Sequence, residues 1–336
     1  MTNAHNMRNK HCIRRIRRKG VTMLVLSVDT GNKAIKTENL SFNSGIQTMD
    51  MMPGEKEEVL RYREKYYMPA SSRITYLEDK TVDDRYDLLT LIAIAKELGR
   101  LDTKEAYVPK GLVEMDLLVG LPPAHYGMQR KKFRDYFFRD GGMVEFGYMD
   151  REYRIAFHDV RVYIQAYAAY FLLAGRQKLS AYPKVLLIDI GGITVDYMIL
   201  RYGSIDRSFL DSLEDGIVKL YRTVKAGIRK KHGILLEETD IDGIIRDQNI
   251  GFGPEVVSRV REMAEEYVVE LLGTYREVGI DFKTTLTVFS GGGSILLAGY
   301  IKKVWERYGG EYFIVQDEKA NARGYKLQYL AEKGAL

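Results

Sequence analysis

Short apolar runs that alternate with polar positions mark strands along this chain, and longer stretches with apolar residues at helical spacing mark helices. Met23 to Asp29 and Ala34 to Phe42 read as strands either side of a turn at Gly31. A polar, irregular stretch follows from Asn43 to Asp84. Asp84 to Leu98 reads as a helix, with Tyr86, Leu89, Ile92, Ala93 and Lys96 on helical spacing. Asp83 or Asp84 serves as its N-cap and Gly99 as its stop. Met115 to Gly120 is a strand closed by Pro122-Pro123, and Gly127 to Phe138 is a helix. Val144 to Tyr148 and Arg154 to Val162 form a hairpin, and Gln165 to Lys178 is helical.

The second half repeats the plan. Val185 to Ile190, Thr194 to Arg201 and Ser204 to Leu210 are strands. Helices follow over Gly216 to Arg229, Glu237 to Arg246 and Pro254 to Val278. Thr285 to Phe289 is a strand that runs into a glycine-rich loop, then come a helix from Ile295 to Trp305, a strand from Tyr312 to Val315 and a last helix from Ala320 to Leu330. Strands alternating with helices, twice over, predict an α/β chain of two related domains.

The length of 336 residues suits about two domains. A chain 46% hydrophobic and 29% charged, with 7 Pro, excludes disorder and collagen-like structure. No apolar run approaches the roughly 18 residues of a membrane span. The lone cysteine, Cys12, excludes an intramolecular disulfide and suits a reducing cytoplasm. The net charge of +5 is local: residues 1–22 carry Arg8, Lys10, Arg14, Arg15, Arg17, Arg18 and Lys19 and no acid, so the remainder sits at −2. This basic segment reads as a disordered tail, and four origins stand open: an arm that touches nucleic acid or an acidic surface, an organellar presequence, a segment added in cloning, or a true start at Met23, which is preferred.

The chemistry concentrates in two segments built alike. Val28-Asp29-Thr30-Gly31-Asn32-Lys33 and Ile188-Asp189-Ile190-Gly191-Gly192 each end an apolar run in Asp-x-Gly, 160 positions apart. A turn at a glycine free to take positive φ aims backbone N–H groups at one spot, a cradle for phosphate oxygens, and the adjacent Asp is placed to hold a hydrated divalent metal. Two such turns facing each other would clamp one nucleoside triphosphate. Lys33 can reach a phosphate, and Thr194 and Asp196 share a face with Gly192. A plain hairpin turn is the alternative for each segment. The third segment, Ser290-Gly291-Gly292-Gly293-Ser294, lets a flat purine and ribose approach the backbone, or simply enters a helix. Position 296 is Leu, so this is not the dinucleotide-binding pattern, and no Gly-x4-Gly-Lys-Ser/Thr loop occurs. The 5 histidines form no metal set, and the 24 tyrosines read as packing rather than base stacking.

Taken in order, Asp29-x-Gly31, Val160 to Gln165, Asp189-x-Gly-Gly-x-Thr194-x-Asp196, Asp215-Gly216 and Ser290 to Gly293 resemble the phosphate 1, connect 1, phosphate 2 and adenosine motifs of the actin superfamily. Asp83-Asp84-Arg85-Tyr86, Val119-Gly120-Leu121-Pro122-Pro123 and Asn321-Ala322-Arg323-Gly324-Tyr325 narrow the resemblance to ParM-like plasmid-segregation actins, over about Met23 to Leu330. The resemblance implies an actin-like ATPase fold: two ribonuclease-H-like domains around a nucleotide cleft, domain I over 23–183 with helix 320–336 packed back on it, and domain II over 184–319. It implies ATP or GTP with Mg²⁺ held by Asp29 and Asp189. Thr30, Gly31, Asn32 and Lys33 would meet the phosphates from one side, and Gly191, Gly192, Thr194 and Asp196 from the other. Gly216, Gly291, Gly292 and Gly293 would lie against adenosine. Gln165 would orient the attacking water, where ParM looks to carry an acid; a Gln cannot act as a strong base, so slow hydrolysis is expected.

The implied function is a cytoplasmic ATPase whose nucleotide-dependent, head-to-tail filaments segregate plasmid DNA through a DNA-binding adaptor protein. Asn43 to Arg73 and Gly251 to Gly253 are the candidate segments to face a neighbouring subunit, with a plain surface loop the preferred reading for each taken singly. No direct sequence-specific nucleic-acid contact and no membrane association are expected. A small-molecule, sugar-type kinase and a monomeric partner-binding ATPase are the alternatives on the same fold.

Overall fold

The structure is a computed structural model, and it describes residues 16–18, 21–54, 58–71, 73–102, 111–174, 179–248 and 251–335. The chain divides into two compact units. One takes the described residues up to Leu121, His125–Ile164 and Asn321 onward; the other takes Pro122–Ala124 and Gln165–Ala320. The division falls at Ile164, not at the expected 183/184, so the segment after connect 1 belongs with the second unit.

In the first unit β2 (Val21–Thr30), β3 (Ala34–Lys36) and β4 (Ser41–Asn43) form an antiparallel meander. The parallel strands β8 (Leu112–Leu121) and β10 (Arg151–Ile164) then extend the sheet from the other side of β2. In the second unit β11 (Lys184–Ile190), β12 (Val195–Arg201) and β13 (Ser204–Leu213) repeat the meander. There β14 (Leu286–Ser290) and β15 (Tyr312–Ile314) supply the parallel strands. The strand orders β4-β3-β2-β8-β10 and β13-β12-β11-β14-β15 are the same plan twice. The central strands are apolar on both faces, as parallel strands covered by helices must be: Leu117, Leu118 and Val119 of β8 and Leu186 and Ile188 of β11 are fully buried. α1 (Arg85–Asp102) is packed into the first core and α4 (Ile217–His232), α6 (Pro254–Glu277) and α8 (Ala298–Trp305) into the second. Fully buried Tyr86, Tyr221, Tyr275, Tyr325 and Tyr329 confirm tyrosine as a packing residue here.

Several boundaries differ from the sequence reading for identifiable reasons. The expected strand 34–42 breaks in two because the Thr37 hydroxyl accepts the N–H groups of Asn39 and Leu40 and folds a turn. The stretch 43–84 is not irregular. It contains β5 (Gly45–Met49), β6 (Leu60–Tyr62) and β7 (Lys65–Ala70), which extend the sheet beyond β9 (Met143–Tyr148). The β6–β7 turn uses Arg63 and Glu64 at φ 50° and 63°, without the glycine or asparagine that flags such a turn. Gly99 does not stop α1, which continues to Asp102. The first strand begins at Val21 rather than Met23 and pairs with β1 (Ile16–Arg18), so part of the expected disordered tail is a strand pair. The remaining basic residues of that tail, and Cys12, lie outside the described residues, except Arg17 and Arg18 in β1. Among the described residues no helix is long and apolar enough to cross a membrane.

The last helix, α9 (Ala320–Glu332), is fastened to the first unit by a buried ion pair. Lys326 Nζ lies 2.7 Å from Glu38 Oε1, and Ser27 Oγ donates to the same oxygen at 3.3 Å. Arg323 adds two bonds from its guanidinium to the Glu38 carbonyl, at 3.2 and 3.0 Å. Tyr325 stacks on Tyr163 and sits so close to Gly120 that a Cβ there would meet its hydroxyl at 2.0 Å. Burial raises the Glu38 carboxyl above the ordinary glutamate range, against the pull of Lys326. An acid raised on folding costs stability as pH rises from its unfolded value through its folded one, and Lys326 offsets that cost. Lys326→Met is therefore expected to destabilise the protein by about 3 kcal/mol or more at pH 8. The deficit should shrink toward pH 3, below the ordinary glutamate value, where Glu38 is protonated folded or unfolded. Urea melts at both pH values check this, and a deficit independent of pH would contradict it.

Candidate functional site

The first turn follows from β2. Asp29, buried, pairs with Lys36, and Thr30 with Ile35, before the chain reverses through Gly31, Asn32 and Lys33. Gly31 does not take positive φ as expected; glycine is required because a Cβ would stand 2.6 Å from the Ala34 carbonyl oxygen. The loop is braced on three sides. Ser44 Oγ donates to the Asn32 carbonyl at 2.5 Å, and the Ser44 N–H to the Lys33 carbonyl at 3.2 Å. The Tyr86 hydroxyl of α1 donates to the Asn32 side chain. Lys80 Nζ donates to the Thr30 carbonyl at 2.7 Å and stands 5.1 Å from the centre of the Tyr86 ring. The Thr30 hydroxyl is buried with no hydrogen-bond partner. The turn thus joins a buried carboxylate, an orphaned hydroxyl and two lysines. Ser44 and Lys80 are not among the sequence-predicted residues, because both sit in the stretch that reads as irregular.

The second turn has the same design. Asp189 is the penultimate residue of β11, and Gly191 accepts no Cβ because the Thr194 carbonyl oxygen would lie 2.9 Å away; Gly191 and Gly192 have no positive φ either. The Gly191 N–H closes the turn on that carbonyl at 2.9 Å. The carbonyls of Gly191, Gly192 and Ile193 accept the N–H groups of Ile217, Val218 and Gly216, which tie the loop to the start of α4. Gly216 caps that helix, and a Cβ on it would stand 2.7 Å from the Gly192 carbonyl oxygen. Asp189 and Asp196 are directly opposed across the β11–β12 ladder, and both are 5% exposed. Like charges so placed repel, an arrangement that a cation relieves. Thr194 is buried beside them in sequence.

Gly291, Gly292 and Gly293 are not the expected loop but the first turn of α7 (Gly291–Leu296). Gly291 takes φ 87°, and its Cβ would meet Asp189 Oδ1 at 2.1 Å; a Cβ on Gly293 would meet Ile190 Cγ2 at 2.4 Å. These two glycines let α7 rest against the end of β11, while Gly292 is exposed.

Gln165 is buried, but it does not begin a helix. It follows the last residue of β10, and α3 (Tyr167–Ala174) starts two residues on; 175–178 lie outside the described residues. Between them Ala166, at φ 62°, is bridged by a bond from the Tyr167 N–H to the Gln165 carbonyl at 2.7 Å, a γ-turn of the strained hand. Strain of this kind costs about 1–3 kcal/mol and concentrates at functional sites.

The family model for the C-terminal part of MreB-like archaeal actin homologues matches residues 187–303. No curated protein matches the chain in sequence. Among solved structures it is similar to Ta0583, an archaeal actin homologue in complex with ADP, at 15% identity over 93% of this chain and 100% of that one, with a TM-score of 0.69. Bacillus thuringiensis ParM with ATP aligns at 13% identity over 93% and 99%, TM-score 0.66. The structure of the Alp12 filament aligns at 15% identity over 92% and 98%, TM-score 0.62. The chain has the actin-like ATPase fold.

The packing of α7 on Asp189 makes Gly291 sensitive to a single methyl group. Gly291→Ala is expected to lower stability by about 1–3 kcal/mol, through overpacking and positive φ. Gly299→Ala, in α8 with nothing within 4 Å of the new atom, should leave stability unchanged or raise it. Thermal melts of the two variants compare them, and equal behaviour would contradict the packing role.

Proposed function

We propose that the chain is an actin-like nucleoside triphosphatase that assembles head to tail, hydrolysing ATP or GTP slowly with Mg²⁺. The observation that carries this reading is the repeated sheet whose first strand ends, both times, in a buried aspartate and a glycine turn too tight for a side chain. The neighbours solved with ADP and with ATP support a nucleotide, and the Alp12 filament supports self-assembly.

Asp29 and Lys33 serve one phosphate loop, and Asp189, Gly191, Gly192, Thr194 and Asp196 the other. Among the described residues no group of three or more His, Cys, Asp or Glu gathers as a metal site. That suits Mg²⁺, which keeps several waters and takes one or two carboxylates plus phosphate oxygens. The opposed Asp189 and Asp196 of the second unit fit such a hydrated ion, and the orphaned Thr30 hydroxyl of the first fits a phosphate oxygen. When bound, the ion would neutralise charge on the transferring phosphoryl group. Gln165, aimed by the strained turn at Ala166, orients the attacking water by hydrogen bonding, which positions it without taking its proton. Gly216 and the exposed Gly292 line the path for adenosine, while Gly291 and Gly293 serve packing. Hydrolysis to the diphosphate weakens the contacts between subunits, and heterologous contacts that do not close make an open filament. Plasmid segregation through a DNA-binding adaptor is the finer reading, and the ParM-like sequence motifs support it.

Phosphate release and light scattering, followed together with ATP and Mg²⁺, test this function. Asp189→Ala should abolish release. Gln165→Ala should slow it by about tenfold or more and leave nucleotide affinity nearly unchanged, because the side chain meets the transition state more than the ground state. Its filaments should form and then persist. Wild-type turnover in Asp189→Ala, or unaltered release and disassembly in Gln165→Ala, would contradict the assignment.

A further inference from the structure

Lys80 is 2% exposed, yet it sits in a segment with no helix or strand of its own. Burial of an ammonium is costly, and proteins keep one inside where its charge is used. Its surroundings fix it firmly. On one side the residue before it, Asp79, accepts bonds from the Thr81 N–H at 2.9 Å, the Thr81 hydroxyl at 2.7 Å and Lys132 Nζ at 2.6 Å. Although burial works against it, these bonds hold the Asp79 carboxyl down at about 2. On the other side Asp83 accepts the Arg85 N–H at 3.0 Å and starts α1. The segment is a braced strut, and it delivers Lys80 Nζ to the carbonyl of Thr30, the middle residue of Asp29-Thr30-Gly31. The Tyr86 ring lies beneath the ammonium, and the same tyrosine's hydroxyl holds Asn32 in the next loop position. One buried charge is therefore built into the back of the first phosphate loop.

We propose that Lys80 supplies the positive charge that makes this turn select a nucleoside triphosphate over the diphosphate, its field acting from behind the loop while Lys33 approaches from the loop itself. The inference rests on the nucleotide reading given above and adds to it a residue, a charge and a preference. A lysine ammonium is a compact point charge, and a charge in a buried site is little screened, so it acts on a neighbouring anion without touching it. The alternative is that Lys80 only staples the turn through the Thr30 carbonyl.

The two roles separate in Lys80→Gln, which keeps a donor for the Thr30 carbonyl and removes the charge. Equilibrium binding of ATP and ADP to the full chain is measured by titration with Mg²⁺. Lys80→Gln is expected to lose about tenfold or more in ATP affinity while ADP affinity stays within about twofold. Lys80→Arg, which keeps the charge, should retain the ATP preference within about threefold, and it provides the readout if Lys80→Gln does not fold. A preference kept in Lys80→Gln, equal losses for both nucleotides, or a preference lost in Lys80→Arg would overturn the role of Lys80 alone. Wild-type protein that binds neither nucleotide would overturn the nucleotide reading and this proposal with it.

Discussion

The constraint on which the site depends is the close approach of backbone to backbone after two buried aspartates. Behind Asp29 the chain doubles back until Gly31 lies against the Ala34 carbonyl, and behind Asp189 until Gly191 lies against the Thr194 carbonyl. In the second unit the same economy of space continues outward. Gly216 presses on the loop carbonyls, and Gly291 and Gly293 press on Asp189 and Ile190. A strand, a loop and the first turns of two helices thus meet at one point, each close approach made by a residue that has no side chain. That arrangement fixes the carboxylate and the loop amides as a unit.

The sheets explain why such a point occurs twice. Each has an antiparallel meander with two parallel strands on the other side of the strand that leads it, and in the first unit the sheet runs on through β9, β6, β7 and β5. The end of that first strand is where ligands settle in open α/β sheets, outside the carboxyl ends of the strands at the point where strand order reverses. Asp29 and Asp189 occupy this position in their respective sheets. α9 then closes the first unit through Lys326 and Glu38. Because Glu38 follows β3 and Ser27 precedes Asp29 on β2, the helix is tied to both strands of the first turn.

The alternation of strands and helices is legible in the sequence because the central strands are continuous apolar runs and the long helices carry an apolar stripe. The Asp-x-Gly repeat is legible because few residue types suit a tight turn. The reason for the glycines is not: composition signals positive φ, whereas Gly31 and Gly191 are there for want of room. The strands β5, β6 and β7 are hidden because they are short, half-buried over much of their length without a clean apolar alternation, and turn through Arg63 and Glu64. Lys80 is hidden with them, since a lone lysine among charged residues gives no sign that it will be buried. The setting of Gln165 is not legible, because nothing in Ile164-Gln165-Ala166-Tyr167 announces that alanine will adopt φ 62°.

The central claim is that nucleotide binding at these turns drives assembly. Electron microscopy of the purified protein with ATP and Mg²⁺, with GTP and Mg²⁺, and with neither tests it most directly. Filaments with a triphosphate, and dispersed particles without one, are the predicted result. Filaments of equal number in all three conditions, or none in any, would contradict it.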